Sequence, residues 1–318
     1  MLHHFIINPA AGKGRLVEAL RDKITRACEA RGVSYRIHIT TRPGDATAYV
    51  RAATEASGER QRFYACGGDG TLCEAVNGAP LCAHAEFAVI PIGTGNDYVK
   101  NFSEPENFFH IDKQLDGTPT HLDMLRYNDR YALNMLNIGF DCNVAKKVGE
   151  IKRNPLIPSG LAYATGVAIH FCRPFGTHMH ITLGDGTVIN EEMTLAAVAC
   201  GCYYGGGFKA APRASLLDGM LDLCLVKKVS RARFLHLIGS YKKGEHLNEK
   251  TTDCIRYCQS PSACFQLDAP TNICIDGEIE MTDRVTVAAV PKGLLFSIPQ
   301  GSRLCCAAQE AAKNNTIP

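Results

Sequence analysis

Asp69 and its neighbours in the run Gly67-Gly68-Asp69-Gly70-Thr71 are the residues best suited to chemistry. Glycines let the backbone approach an anion without an intervening side chain. If a helix begins here, its first turn adds unpaired N–H groups and partial positive charge, which suit a phosphate. A carboxylate repels a phosphate unless a metal ion lies between them, so Asp69 points to a nucleotide bound with Mg²⁺. The simpler alternative is a tight turn in which Asp69 only caps a helix.

Two other segments repeat this pattern. Residues 8–14 (Asn-Pro-Ala-Ala-Gly-Lys-Gly) follow the apolar run 2–7, and residues 91–97 (Pro-Ile-Gly-Thr-Gly-Asn-Asp) follow the apolar run 87–90. The third segment brings a second carboxylate, Asp97. We therefore expect three strand ends to meet around one nucleotide site, although three unrelated turns would give the same letters.

The elements that must position these segments alternate along the chain. Short apolar runs at 2–7, 33–40, 62–66 and 87–90 are typical of buried strands, and segments with helical spacing of apolar residues lie between them. This alternation predicts an α/β fold with a doubly wound parallel sheet. Ligands of such sheets bind outside the carboxyl ends of the strands, where the glycine segments fall.

The second half of the chain has a different pattern. After about residue 113, many short alternating runs are separated by glycine turns, with helical patterns only near 161–171 and 232–242. This density of short strands predicts an antiparallel β-sandwich or barrel, of which we expect the sandwich. We therefore divide the chain into a nucleotide-binding domain (1–125), a β-rich lipid or substrate domain (126–300) and a C-terminal segment (301–318) that packs back on the first domain, with the nucleotide cleft between the two domains.

Composition excludes several classes of protein. The chain has 318 residues, 46% hydrophobic and 21% charged, so it is globular and long enough for two cores. A net charge of +2 gives no polyanion-binding signature, and nucleic acid is not an expected partner. No apolar stretch approaches the roughly 18–20 residues that span a bilayer, so we expect no transmembrane segment. The 15 cysteines have no zinc-site spacing and are typical of free thiols in a reducing cytosol.

These motifs together resemble a known family. Residues 8–13, 67–72 and 91–97 resemble the diacylglycerol kinase catalytic domain, and the whole chain looks like the soluble bacterial lipid kinases related to diacylglycerol and sphingosine kinases. The resemblance continues through Leu122-Asp123, the segment 218–222 (Asp-Gly-Met-Leu-Asp) and Asp276-Gly277-Glu278. It implies an ATP- and Mg²⁺-dependent kinase that phosphorylates a hydroxyl of diacylglycerol or a related lipid.

The resemblance also implies roles for individual residues. Asp69 and Asp97 would handle catalytic Mg²⁺, and Glu278 would be the general base; from its own segment, Glu278 reads instead as an exposed strand residue after an Asp-Gly turn. A second, structural metal would be held by Asp218 and the backbone carbonyls of Ser215 and Met220, with Asp123 behind them. ATP would contact a larger set: Asn8, Pro9, Ala10, Ala11, Gly12, Lys13, Thr40, Gly68, Asp69, Gly70, Thr71, Leu72, Cys73, Glu74 and Thr94.

Other functions fit parts of the sequence. NAD kinases share a Gly-Gly-Asp-Gly turn, so NAD or another soluble alcohol is an alternative acceptor, although no second motif of that family is present. A non-catalytic module that binds nucleotide or lipid is a further alternative, but it would not need a general base. The lipid interpretation places the protein in the cytoplasm, peripheral to the inner face of the membrane. The sequence leaves open whether it forms a homodimer.

Overall fold

The N-terminal part of the chain is built on a parallel sheet. The computed structural model describes residues 1–14, 17–152 and 176–305, and elements are numbered along these ranges. The strands lie parallel in the order β2-β1-β3-β4. Both β3 and β4 are buried along their whole length, as expected of strands covered on both faces. The four strands are β1 (Leu2–Ile7), β2 (Tyr35–Ile39), β3 (Gln61–Gly67) and β4 (Ala85–Pro91).

Helices cover both faces of this sheet. Helix α1 buries Leu20, Ile24 and Cys28 against one face, while α2 and α3 bury Val50 and Val76 against the other. The prediction of a doubly wound α/β domain is therefore confirmed. The helices are α1 (Val17–Arg31), α2 (Asp45–Ala56), α3 (Asp69–Gly78) and α4 (Ile111–Leu115), with 3₁₀ turns at Ala11–Gly14, Tyr98–Asn101 and Pro105–Phe109.

The C-terminal part is the predicted antiparallel β-sandwich. Strands β9 and β12 each pair with β8 along one half and with β7 along the other, so they pass from one layer to the next. Helix α6 covers the sheet formed by β7, β9, β10 and β11. The elements are β5 (Thr118–Tyr127), β6 (Arg130–Ala132), β7 (Met135–Gly139), α5 (Phe140–Lys152), β8 (Thr177–Leu183), β9 (Val188–Ala199), β10 (Leu221–Lys227), α6 (Arg231–Lys243), a 3₁₀ turn (Glu249–Thr251), β11 (Ile255–Ser260), β12 (Ser262–Ile275) and β13 (Glu278–Ile298).

The two parts are joined by β13. This strand of 21 residues pairs with β12 and β5 and reaches β4, where Phe296 lies beside Phe87. Farther on, Leu304 forms a bridge with Phe102, so the chain returns to the N-terminal part. Residues 306–318 and the predicted helical segment 161–171 lie outside the described residues. Within the described ranges, no helix has the length and apolarity needed to cross a bilayer.

Candidate active site

The glycine turns after β3 and β4 pack directly against each other. The N–H of Gly93 donates a hydrogen bond to the carbonyl of Gly67 at 3.2 Å. A Cβ atom on Gly93 would lie only 2.5 Å from Cα of Gly68, so a larger residue would push the two turns apart. The turn after β1 joins them through Asn8, whose side-chain amide donates to the Thr71 hydroxyl at 3.0 Å. The three glycine-flanked segments therefore lie side by side.

Helix α3 begins within this group of turns. Its N-cap residue, Gly68, has no side chain to accept a hydrogen bond from the first turn. Asp69 and Gly70 are the first residues of the helix, and their N–H groups precede its first intrahelical hydrogen bond, which Thr71 donates to the Gly68 carbonyl at 3.0 Å. This helix start therefore offers donors and partial positive charge to an anion.

Asp69 and Asp97 are tied into the turns by backbone hydrogen bonds. The Asp69 carboxylate accepts from the N–H groups of Asp97 and Tyr98, both at 2.9 Å. Burial raises the pKa of Asp69, and these two N–H groups partly oppose the rise. The Asp97 carboxylate accepts from Nζ of Lys100 at 2.5 Å and from the N–H of Gly206 at 2.7 Å. Gly206 belongs to the C-terminal part, so Asp97 also links the two parts of the chain.

A third carboxylate comes from the hairpin between β12 and β13. Asp276 and Gly277 form its two-residue turn with φ angles of +45° and +94°, which confirms the Asp-Gly hairpin. The Asp276 carboxylate accepts from the backbone N–H groups of Leu133, Asn134 and Met135 at 2.5, 3.1 and 3.0 Å. Burial raises the pKa of Asp276 to about 6 even though these N–H groups lower it.

Glu278, two residues later, lies elsewhere. Its side chain is 45% exposed and forms an ion pair with Arg130 at 2.9 Å. It lines a surface groove together with Cys73 and Glu74. The structure therefore does not bring Glu278 into the cavity that contains Asp69 and Asp97, because Arg130 holds it on the outer side of the hairpin. Asp276 occupies the position beside those two aspartates.

A cavity of about 550 Å³ connects these carboxylates to the C-terminal part. Its lining includes Asp69, Asp97 and Asp276, which we call the carboxylate cluster. Most of the remaining lining is hydrophobic, and α6 supplies four members at helical spacing. We call this set the apolar wall: Phe140, Val144, Leu195, Val226, Phe234, Leu237, Ile238, Tyr241 and Ile255.

Other residues predicted to contact ATP lie on the same edge of the parallel sheet but differ in what they present. Ala10 donates its N–H to the Asn8 side chain at 3.0 Å. Thr40 is buried, with its N–H bonded to the Ile7 carbonyl at 2.9 Å. Thr94 is exposed. The side chain of Lys13 lies outside the part of the structure that is described.

Further predicted contacts lie on α3. Leu72 is fully buried in the core. Cys73 is also buried, and its thiol lies 3.4 Å from the carbonyl of Tyr131 in β6 rather than beside the turn. Burial raises the pKa of this thiol well above its usual value. Glu74 accepts from the N–H of Gly44 at 3.0 Å and so fixes the start of α2. ATP contact by the whole set stays a prediction.

The predicted second metal site is a loop fastened to β5. The Asp123 carboxylate accepts from the N–H groups of Gly219 and Lys292, both at 2.7 Å. Asp218 accepts from the N–H of Met220 at 3.0 Å, and Ser215 accepts from the N–H of Leu217 at 3.3 Å. These hydrogen bonds hold the loop with protein donors. A metal ion here stays a prediction.

Sequence reasoning missed several residues of the cavity. Lys100 stands three residues after Asp97, a spacing at which side chains on a helical turn meet, so the sequence contained a signal for this pair. Asp276 belongs to the motif Asp276-Gly277-Glu278, in which the sequence-based prediction gave the base to Glu278 and no role to Asp276. The stripe Phe234, Leu237 and Tyr241 on α6 has the spacing of a core-facing helix. Nothing in that spacing distinguishes a cavity wall from a filled core.

Comparison with known proteins identifies the two parts of the chain. Residues 3–127 match the diacylglycerol kinase catalytic domain, and residues 134–297 match the YegS C-terminal NAD kinase beta sandwich-like domain. A diacylglycerol kinase of Bacillus subtilis is 30% identical over 285 residues, which cover 86% of this chain and 88% of the relative. A probable lipid kinase YegS-like protein of Chromohalobacter salexigens is 27% identical, over 92% of this chain and 93% of the relative.

A solved structure shares the fold. The crystal structure of a diacylglycerol kinase from Bacillus anthracis superposes with a TM-score of 0.69 at 22% identity, covering 94% of this chain and 97% of that one. The sequence matches and this superposition extend over both parts of the molecule. The chain therefore belongs to the diacylglycerol kinase family, whose members are kinases that act on a hydroxyl acceptor.

Proposed function

We propose that this protein transfers the γ-phosphate of ATP to a hydroxyl group of a lipid whose acyl chain lies in the cavity against the apolar wall. One observation carries the proposal: a single cavity is lined by both the carboxylate cluster and the apolar wall. Phosphoryl transfer uses charged groups around the reacting atoms, whereas the phosphates and sugars of an acceptor such as NAD would need polar or basic partners that the apolar wall does not provide. A lipid alcohol uses both.

The nucleotide would bind at the glycine turns. The first turn of α3 offers N–H donors to phosphate oxygens. The turns at Gly68 and Gly93 pack so closely that a side chain at Gly93 would not fit, so only backbone atoms lie between them. Lys100 pairs with Asp97 and so offsets negative charge that would otherwise repel the phosphates at this position. The phosphate end of ATP would thus lie next to the carboxylate cluster.

The carboxylate cluster fits a Mg²⁺ ion that arrives with ATP. Among the described residues, no group of three or more His, Cys, Asp or Glu side chains forms a ready-made metal site. Mg²⁺ in kinases needs only one or two protein carboxylates, since phosphate oxygens and waters complete its shell. Asp69 and Asp97 accept one hydrogen bond per oxygen and keep further lone pairs for an ion. When bound, it would neutralise charge on the phosphate oxygens.

Asp276 fits the role of general base better than Glu278. The acceptor hydroxyl would attack the γ-phosphorus and give its proton to the Asp276 carboxylate, while the bond from the γ-phosphorus to the bridging oxygen breaks and ADP leaves. A carboxyl pKa near 6 suits this task, because the group is ionised at neutral pH yet basic enough to take a proton. Glu278 remains the alternative base.

A lipid acceptor reaches the protein from a membrane. We propose peripheral contact with the inner face of the membrane by a cytoplasmic protein. The test is transfer of radiolabel from γ-labelled ATP to acceptors offered separately: diacylglycerol and 1-acylglycerol in detergent micelles, NAD and glycerol. The proposal predicts a labelled lipid phosphate and no labelled NAD or glycerol. Label on NAD would favour the soluble-alcohol alternative, and ATP binding without any labelled product would favour a non-catalytic module.

A further inference from the structure

Several buried polar atoms in the cavity have no hydrogen-bond partner among the described residues. These atoms are Oδ1 of Asn137, Oδ2 of Asp141 and the hydroxyl of Tyr241, and all three residues line the cavity. A buried polar atom without a partner is unfavourable, so such atoms usually bind water or a ligand group. Three in the lining of one largely apolar cavity indicate a place where a ligand supplies hydrogen bonds.

Asp141 is the most specific of the three. It lies in the first turn of α5, two residues after β7 ends at Gly139. Its Oδ1 atom accepts from the N–H of Cys142 at 3.0 Å, which fixes the carboxylate and leaves Oδ2 unpartnered. The Tyr204 hydroxyl lies near enough to lower the pKa of this carboxylate, although among the described residues no donor reaches Oδ2 with hydrogen-bond geometry. Burial raises the pKa of Asp141 to about 6, so the group is mainly ionised above neutral pH.

Asp141 and Asp276 line the same cavity and flank one pair of strands. Asn137, on β7, is the direct neighbour of Cys274 on β12, so Asp276 follows one end of this pairing and Asp141 follows the other. Both carboxylates raise the pKa of the Cys274 thiol, so both lie within electrostatic range of it. A lipid whose reacting hydroxyl is at Asp276 would therefore reach Asp141 by extending along these two strands.

The chemistry of these atoms restricts the acceptor. An ionised carboxylate only accepts hydrogen bonds, whereas an amide such as Asn137 can present either its oxygen or its N–H groups. Diacylglycerol has one hydroxyl, which receives the phosphate, and its two ester groups only accept. It offers nothing that Asp141 can bind. A lipid that keeps a second hydroxyl, or an ammonium group, supplies the missing donor.

We propose that Asp141 selects acceptor lipids that carry a second hydrogen-bond donor next to the phosphorylated hydroxyl, as in a monoacylglycerol or a sphingoid base. This inference rests on the proposed lipid kinase activity and specifies its substrate class. Asp141 acts on the choice of acceptor, and Asp276 remains the group that takes the proton.

The test compares two acceptors that differ by one hydroxyl. These are 1-acylglycerol and the 1-acyl ester of propane-1,3-diol, with the same acyl chain in the same micelles. The wild-type protein should give a kcat/KM at least about tenfold higher for 1-acylglycerol, because an analogue without the hydroxyl leaves the carboxylate unpaired. A sphingoid base tests whether an ammonium group can supply the second donor. Diacylglycerol should be a poorer acceptor than both 1-acylglycerol and the sphingoid base. A ratio within twofold for the ester pair, with no preference for the sphingoid base over diacylglycerol, would overturn the inference.

Variants assign the preference to Asp141. Asp141→Asn keeps an oxygen for the Cys142 N–H and should fold, and it should bring the kcat/KM ratio close to one; Asp141→Ala is a second variant with the same expectation. Asp268→Asn removes a carboxylate that is 78% exposed and should keep the wild-type ratio. A preference that survives in both Asp141 variants would overturn the inference. If diacylglycerol and the propanediol ester are labelled as fast as 1-acylglycerol, the lipid kinase activity is supported and only this inference is overturned. If no lipid is labelled, both the inference and the proposed activity are overturned.

Discussion

The carboxylates on the two sides of the cavity differ in how completely the protein satisfies them. Asp69 and Asp97, on the nucleotide side, have partners on both oxygens, and most of these donors are backbone N–H groups. Asp141, beside the apolar wall, has one oxygen bonded to the backbone and one with no partner. The proposed nucleotide side is therefore held in place before any ligand binds. On the acceptor side, Asp276 is also held by three backbone N–H groups, and Asp141 is the carboxylate with hydrogen-bonding capacity left for a ligand.

This difference indicates a division of labour. A kinase uses the same nucleotide whatever its acceptor, so a rigid set of backbone contacts suits that side. Acceptor choice depends on groups that only the correct lipid satisfies. Disturbing the nucleotide side should therefore reduce turnover with every acceptor, while disturbing the acceptor side should change which lipid is used.

The largest effect is expected from Asp69→Asn. The substitution removes a charge from the carboxylate cluster and one of the two acceptors that hold the turn at Asp97, so kcat should fall by about 10³-fold with every lipid. Initial rates with γ-labelled ATP measure this, with circular dichroism to check folding. Asp268→Asn is the matched control and should behave as wild type. A loss below tenfold would show that the nucleotide side does not depend on Asp69.

A pH profile probes the acceptor side through Asp276. Its raised pKa of about 6 means that the carboxyl group is protonated below that pH and cannot then take a proton. The kcat/KM should therefore fall about tenfold for each pH unit below 6 and be level above 7. The profile is best measured in Asp141→Asn, which removes the other cavity carboxyl with a similar pKa. Activity that persists unchanged to pH 4.5 would contradict a base with this pKa.

Filling the cavity should act on the acceptor alone. Ile238→Trp places a large side chain on the apolar wall and should raise the KM for a long-chain lipid about tenfold while the KM for ATP stays the same. Leu235→Trp, on the outer face of the same helix, is the control, because Leu235 is 55% exposed. Equal KM values for lipid in the two variants would show that the acyl chain does not bind in this cavity.

How much of this could be predicted from sequence differs between the two sides. The packing of the glycine turns could be predicted, because glycines at the ends of neighbouring strands must be close in a parallel sheet. Gly67, Gly68 and Gly93 illustrate this, since their close contacts are what the sequence pattern implies. The fold class was predictable for the same reason.

The acceptor side could not be predicted in the same way. It depends on whether the side chains of Phe234, Leu237 and Ile238 fill the space below them, which apolar spacing does not reveal. The choice between Asp276 and Glu278 also required the structure. The two residues are only two positions apart in sequence, yet Asp276 lines the cavity and Glu278 pairs with Arg130 on the surface. The pairing of Lys100 with Asp97 could have been predicted from their spacing of three residues, but it was not predicted.

The smallest effect concerns stability. Because burial raises the pKa of Asp141 to about 6, the charged form is disfavoured in the folded state. The cost is absent below the unfolded pKa near 4 and complete above 6. Asp141→Asn should therefore increase the free energy of unfolding by about 1–2 kcal/mol at pH 8 and change it little at pH 4. Urea denaturation at the two pH values measures this change. A lower free energy of unfolding for Asp141→Asn than for wild type at pH 8 would contradict the claim that the Asp141 carboxylate is unsatisfied in the folded protein.

The most direct test of the proposed site is a comparison of Asp276→Asn with Glu278→Gln under saturating ATP and lipid. Asp276 lines the cavity with Asp69 and Asp97, whereas Glu278 pairs with Arg130 outside it. We expect kcat to fall by about 10²- to 10³-fold in Asp276→Asn, with lipid binding retained, and to stay within about threefold of wild type in Glu278→Gln. The reverse result, an active Asp276→Asn protein and an inactive Glu278→Gln protein, would place the chemistry in the outer groove and contradict this account.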